Sequence, residues 1–129
     1  MPTVTYFEDL EIWKISRILC SEIYRISSRE SFEKDYRFKN QMRAAAGSVM
    51  DNIAEGFERQ GNSEFKQFLY IAKGSAGEVR SQLYRAFDNS YISEEEFNDL
   101  RQKYQSLSIK IKNFITYLQN SAVKGSKHM

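Results

Sequence analysis

The stretch from Gln41 to Leu83 constrains this chain most. It reads QMRAAAGSVMDNIAEGFER, a short break at Gln60-Gly61-Asn62, then SEFKQFLYIAKGSAGEVRSQL. Apolar residues recur in steps of three and four on both sides of the break, which is the spacing of two amphipathic helices joined by a tight turn. The first of these is expected over about residues 36–59. Phe38, Met42, Ala45, Val49 and Ile53 form its inner stripe, and Ala46, Met50, Ala54 and Phe57 widen it on one flank. A helix apolar over so wide an arc packs on two sides. The second side is either another helix or another subunit, so Ala46, Met50 and Phe57 are candidate subunit-interface residues. Asn62 is the expected N-cap of the next helix, over about residues 63–88, because its side chain can accept from the free N–H groups of the first turn. Phe65, Phe68, Leu69, Ala72, Ala76, Val79, Leu83 and Phe87 make the core stripe of that helix. Gly74 and Gly77 lie inside it and cost about 1 kcal/mol each against Ala. Close approach of a neighbouring backbone is the expected offset.

Two more helices flank this pair. Before it, over about residues 8–28, Leu10, Trp13, Cys20 and Tyr24 interleave with Ile12, Ile15, Leu19, Ile23 and Ile26 on one broad face. Residues 29–35 are polar and read as a connection. After it, Ser93 and Glu96 have capping-box spacing, with Ile92 and Phe97 placed as a hydrophobic staple. The helix over about residues 94–119 then carries Phe97, Leu100, Tyr104, Leu107, Ile111, Phe114 and Leu118, with steps that alternate three and four throughout. Four such helices with short connections predict an all-α, antiparallel up-down-up-down four-helix bundle over residues 8–120. Residues 1–7 are expected to be an N-terminal extension and residues 121–129 a flexible tail. Helices of this size give a bundle about 35–40 Å long.

Composition agrees and excludes some classes. With 129 residues, 41% hydrophobic and 14% aromatic, the chain is large enough for one domain with a real core. The one cysteine, Cys20, sits within an apolar face, precludes an internal disulfide and fits a reducing cytoplasm. No apolar run is long enough to span a membrane, and the first residues lack the basic-then-apolar order of a signal peptide. A cytoplasmic location is expected.

No enzyme constellation is visible. The one histidine, His128, lies in the tail, so a histidine-dependent triad, a histidine zinc site and a Glu-x-x-His di-metal motif are absent. Glu55 and Glu58 have no supporting histidine. The Gly-Ser-Ala-Gly run at 74–77 lacks a Walker lysine and falls inside a helix. No catalytic residue, metal ligand or cofactor is expected. Asn52 and Glu55 sit on a helix buried on two sides, and buried polar groups need partners. With Ser75 and Glu78 opposite, they read as a structural hydrogen-bond network that fixes helix register.

The charge distribution supplies the positive lead. Lys66, Tyr70, Lys73, Gly77, Arg80 and Tyr84 follow at helical steps along one line, about a quarter-turn from the core stripe, with no acid among them. Cations interleaved with aromatics suit single-stranded nucleic acid, offering charge to phosphates and π-faces to bases. Lys14, Arg17, Ser21 and Arg25 form a second acid-free line, and Lys39 and Arg43 a third cationic pair. The competing readings are ordinary solvated faces, since the net charge is only +2, and subunit interfaces.

From Phe7 to about Leu118 the chain resembles the bacterial four helix bundle protein family. That family includes proteins encoded by intervening sequences in large-subunit ribosomal RNA genes and accessory variability determinant proteins of diversity-generating retroelements. The match is carried by Phe7-Glu8-Asp9-Leu10 with Trp13, Ile23-Tyr24, Gln41, Arg43-Ala44-Ala45, Asn52-Ile53-Ala54-Glu55-Gly56-Phe57 with Arg59, Glu64-Phe65, Phe68-Leu69, Ile71-Ala72, Gly74-Ser75, Glu78 and Gln82-Leu83. The resemblance implies an antiparallel four-helix protomer assembled as a homopentameric ring. It also implies nucleic-acid association and, in the retroelement branch, binding to a reverse transcriptase and its template RNA. It implies no enzymatic activity. Glu58, and Met50-Asp51 before Asn52, depart from many relatives.

Together these readings lead to the expectation of a non-enzymatic, homo-oligomeric protein that binds nucleic acid, RNA rather than DNA, mainly through phosphates. The alternative is a protein–protein scaffold that docks a partner enzyme such as a reverse transcriptase. A third reading is a stable bundle left by a mobile element.

Overall fold

A computed structural model of the protein describes residues 4–59 and 61–121. A 3-10 turn (Phe7–Asp9) leads into α1 (Glu11–Ser27), the short α2 (Glu30–Lys34), α3 (Tyr36–Glu58), α4 (Asn62–Asp88) and α5 (Glu94–Asn120), and among the described residues there is no strand. Helix α3 packs against both α1 and α4, and α5 closes against α4 and α1. The side-chain pairings run antiparallel. Gly56 and Ser48 of α3 lie beside Phe65 and Ser75 of α4, and Tyr84 and Phe65 of α4 meet Phe97 and Phe114 of α5.

The core follows the sequence spacing. Met42, Val49 and Ile53 of α3, Leu69, Ala72, Ala76, Val79 and Leu83 of α4, and Leu107, Ile111 and Leu118 of α5 are completely buried. In α5, Ile115 is buried and the expected Phe114 is half-buried, so the steps from Ile111 to Leu118 run four then three rather than three then four.

Several expectations need correction. Helix α1 starts at Glu11 rather than Glu8. Leu10, its N-cap, has an extended backbone and no capping side chain, and is held by burial instead. Residues 30–34 are not a plain connection. Phe32 is buried at the end of the bundle, with its ring centroid 5.5 Å from that of Phe38 and 4.9 Å from that of Tyr91. One aromatic in a polar segment is enough to dock a single helical turn. The neighbouring Asp35 uses both carboxylate oxygens. Oδ1 accepts from Phe38 N at 3.3 Å, capping α3, and Oδ2 accepts from the Tyr91 hydroxyl at 2.8 Å.

Asn62 is not the N-cap of α4. Gly61 holds that position at φ 87°, a conformation that favours glycine, and Asn62 is the buried first residue of the helix, with neither side-chain amide atom hydrogen-bonded. Gly74 and Gly77 are not places of close approach, because a Cβ built on either meets nothing within 4 Å. The tight position is Gly56, where a Cβ would lie 2.6 Å from Phe68 Cβ and 3.0 Å from Phe65 Cδ1. The Gly56-Phe57 step therefore sets how closely α3 and α4 cross. Ala46 and Phe57 are no more than 1% exposed and lie inside the protomer, so they offer no surface to another subunit. Of the three candidate interface residues, Met50 alone retains partial exposure.

The Ser93–Glu96 capping box of α5 is formed, with Glu96 N donating to Ser93 Oγ and Ser93 N donating to Glu96 Oε1, each at 3.1 Å. Glu96 also pairs with Arg29 across the bundle end at 2.6 Å. That guanidinium, followed by the Ser93 donors, holds the Glu96 carboxyl at about 2, well below the usual carboxylate range.

Candidate nucleic-acid interface

Helix α4 places Lys66, Tyr70, Lys73, Gly77, Arg80 and Tyr84 on its α5-facing shoulder. The neighbour is identified by Tyr84, whose ring lies 4.8 Å edge-on to that of Phe97, and by Phe87 on the following turn, stacked on the same Phe97 at 4.9 Å. Tyr70 is 54% exposed and Tyr84 51%, so both rings present a face to solvent. Among the described residues, Lys66, Lys73 and Arg80 form no ion pair. Arg80 Nε is buried without an acceptor among the described residues. An unpartnered guanidinium nitrogen is a donor in want of an oxygen. Gly77 leaves open space at the middle of the line.

The other expected cations are differently placed. On α1, Lys14 and Arg17 border a shallow surface groove that also contains Glu8 and Glu22. Arg17 lies 5.8 Å over the Trp13 ring. Arg25 is bound to Glu22 at 2.7 Å, and Ser21 is exposed between them. Lys39 lies 5.1 Å over Tyr36. Arg43 is built into the fold. Its Nε donates to Ser27 Oγ at 2.9 Å, its Nη2 donates to Ser28 Oγ at 2.9 Å and to the Tyr24 carbonyl at 3.4 Å, and the group sits 4.6 Å over the Tyr24 ring. A guanidinium at the last turn of α1 satisfies free carbonyl and hydroxyl acceptors and opposes the negative end of the helix dipole. Arg43 thus serves to tie α3 to the end of α1.

The polar contact between α3 and α4 is narrower than the sequence suggests. Asn52 Nδ2 donates to the Ser48 carbonyl at 2.8 Å and to Ser48 Oγ at 2.9 Å, and Ser48 Oγ is 2.9 Å from Ser75 Oγ. Ser48 is the bridge, and sequence reasoning missed it. It lies one turn before Asn52 and faces Ser75, a step-of-four signal that was readable. Glu55 lies outside this chain of bonds. It is exposed and pairs with Arg59 at 2.8 Å. Glu78 accepts from Gln82 Nε2 at 3.4 Å along α4 and does not cross to α3.

Titratable chemistry is sparse. Cys20 is half-buried, and burial, then Asp51, raises its thiol above the ordinary value, which leaves it a poor nucleophile. Burial raises the Tyr104 phenol strongly, and its hydroxyl has no hydrogen-bond partner among the described residues. Among the described residues no three of His, Cys, Asp and Glu gather to hold a metal ion. His128 lies outside the described residues. No described helix is long and apolar enough to cross a membrane.

The family model of the 23S rRNA-intervening sequence protein matches residues 8–113. The crystal structure of a protein of unknown function from the S23 ribosomal protein family of Bacteroides thetaiotaomicron is similar, with a TM-score of 0.74 and 20% sequence identity. The match covers 81% of this chain and 97% of that one, and at this identity the likeness concerns the fold alone. No curated protein matched the chain.

Proposed function

Because the chain belongs to the 23S rRNA-intervening sequence protein family, we propose that it is a non-enzymatic cytoplasmic protein that binds RNA, chiefly through the phosphates. The observation that carries this reading is the α4 line, where Lys66, Lys73 and Arg80 are unpaired among the described residues and alternate with exposed Tyr70 and Tyr84. By contrast, Arg25, Arg29, Arg43 and Arg59 have intramolecular partners. The antiparallel pairings of neighbouring helices support an up-down-up-down protomer. The protomer assembles as a homopentameric ring, in which fivefold repetition builds the field that a net charge of +2 cannot supply alone. Exposed Ile18, Ile71 and Ile109 provide apolar surface for that assembly.

The test is RNA binding by the Lys66→Glu/Lys73→Glu/Arg80→Glu variant, followed against salt and alongside helix content by circular dichroism. Loss of binding with unchanged helicity is expected. Normal binding by the triple variant removes α4 as the interface. The same exposed isoleucines favour a second reading, a scaffold that docks a partner enzyme such as a reverse transcriptase. That reading predicts weak, salt-insensitive RNA binding by the protein alone.

A further inference from the structure

Helix α5 has no Asp or Glu from Leu100 to Asn120, and it carries four cations there, Arg101, Lys103, Lys110 and Lys112. The structure divides them. Lys103 pairs with Asp99 at 3.0 Å and Lys110 with Glu11 of α1 at 3.7 Å. Both line the shallow groove between α5 and α1, beside Ile15 and Ile18. Arg101 and Lys112 form no ion pair among the described residues.

Arg101, Gln105, Ser108 and Lys112 follow at steps of four, three and four, so they share one line of α5. That line faces α4. Arg101 lies 5.7 Å over the Phe97 ring, the same ring that Tyr84 and Phe87 of α4 touch. The antiparallel pairing then brings the Ser108 turn of α5 beside the Lys73 turn of α4. Ser108 Oγ, like Arg80 Nε, is buried and without a hydrogen-bond partner among the described residues. The two helices thus present two acid-free rows of cations on either side of one seam, with Gly77 leaving it open at the middle. On α4, successive cations stand about 10 Å apart along the axis, seven residues at 1.5 Å each.

We propose that the α4–α5 seam is a binding track for a single-stranded polynucleotide, with Arg101 and Lys112 as a second row of phosphate contacts opposite Lys66, Lys73 and Arg80. This rests on the RNA-binding reading above and adds to it a second helix and a strand class. Charge complementarity selects a polyanion, and the exposed faces of Tyr70 and Tyr84 select one with unstacked bases, because a duplex hides its base faces.

The test uses the full chain, a fluorescent oligouridine strand and an RNA duplex of equal length, read by anisotropy across a salt series. Arg101→Gln/Lys112→Gln is expected to weaken strand binding about tenfold and to flatten the slope of log affinity against log salt by about 1.4, roughly 0.7 for each phosphate no longer neutralised. Tyr70→Ala is expected to weaken binding of the strand and leave that of the duplex unchanged. Circular dichroism keeps folding under control. If the α5 pair binds like the unsubstituted protein while the Lys66/Lys73/Arg80 variant fails, the second row is wrong and the α4 reading stands. If the duplex binds as tightly as the strand and Tyr70→Ala changes nothing, the strand class is wrong. If the unsubstituted protein binds neither, the RNA reading falls, and this proposal with it.

Discussion

Two sets of cations, one on the α1–α3 side of the bundle and one along the α4–α5 seam, differ in what they do. On the first, Arg25 answers Glu22, Arg29 answers Glu96, Arg43 ties the end of α1, and Arg59 pairs with Glu55 and Glu64. On the second, Lys66, Lys73, Arg80, Arg101 and Lys112 have no acidic partner among the described residues. Counting charges along the chain cannot distinguish the two sides, since both are rich in cations. What separates these two sets of residues is whether an intramolecular acceptor lies within reach; on the first side Lys14, Arg17 and Lys39 form no ion pair among the described residues, and on the second Lys103 and Lys110 do. A cation without one remains available to a polyanion, whereas a cation that caps a helix contributes to folding.

The largest effect that tests this contrast is on binding. The Lys66→Glu/Lys73→Glu/Arg80→Glu variant should lose RNA affinity by about a hundredfold or more near 0.1 M salt, as repulsion replaces attraction at each position. Its helix content should hold, because among the described residues none of the three side chains has an acidic partner to lose. Removing Arg43 should do the reverse. Arg43→Ala leaves Ser27 and the last turn of α1 short of a charged donor, at a cost of about 1.5–3 kcal/mol in urea unfolding. RNA affinity of the folded fraction should be unchanged. A large binding defect at Arg43 would break the contrast.

Glycines sharpen it from the backbone side. Gly56→Ala should destabilise by about 1–3 kcal/mol, because the new Cβ falls within 2.6 Å of Phe68 Cβ. Gly77→Ala should instead stabilise by about 1 kcal/mol, as it adds helix propensity in open space. Calorimetry on the pair reads both signs. If Gly77→Ala also weakens RNA binding, the open middle of the seam is a place where the ligand approaches the backbone.

The smallest effect is the pH response of the Arg29–Glu96 pair. A carboxyl held at about 2 when folded and near 4.3 when unfolded gives stability that is fully present above the unfolded value and lost as pH falls toward about 2. Arg29→Ala should flatten the stability profile between about pH 5 and pH 2, by no more than about 1 kcal/mol because the pair is partly exposed.

How much of this was legible in the sequence varied with the kind of interaction. The core stripes of α3, α4 and α5 were readable because helical periodicity is a local signal. The capping box at Ser93 was equally local, and the structure forms it. Phe32 was missed because a single aromatic has no period, and its docking depends on Phe38 and on Tyr91 far along the chain. Asn62 was misread as a cap because the adjacent glycine takes up the turn. The same limit applies to charge. The acid-free line on α4 could be read from spacing, but that Arg43 is tied to Ser27 while Lys73 has no ion pair among the described residues depends on which helix packs alongside. Arg101 and Lys112 form a line only once Lys103 and Lys110 are assigned to the α1 side.

The most direct test of the central claim is ultraviolet crosslinking of RNA to the intact protein, with adducts mapped by mass spectrometry. The α4–α5 account predicts adducts on the peptides carrying Tyr70 and Tyr84, suppressed by high salt. Adducts confined to Trp13, Tyr24 and Tyr36, with none on α4, would contradict it and move the interface to the α1–α3 side.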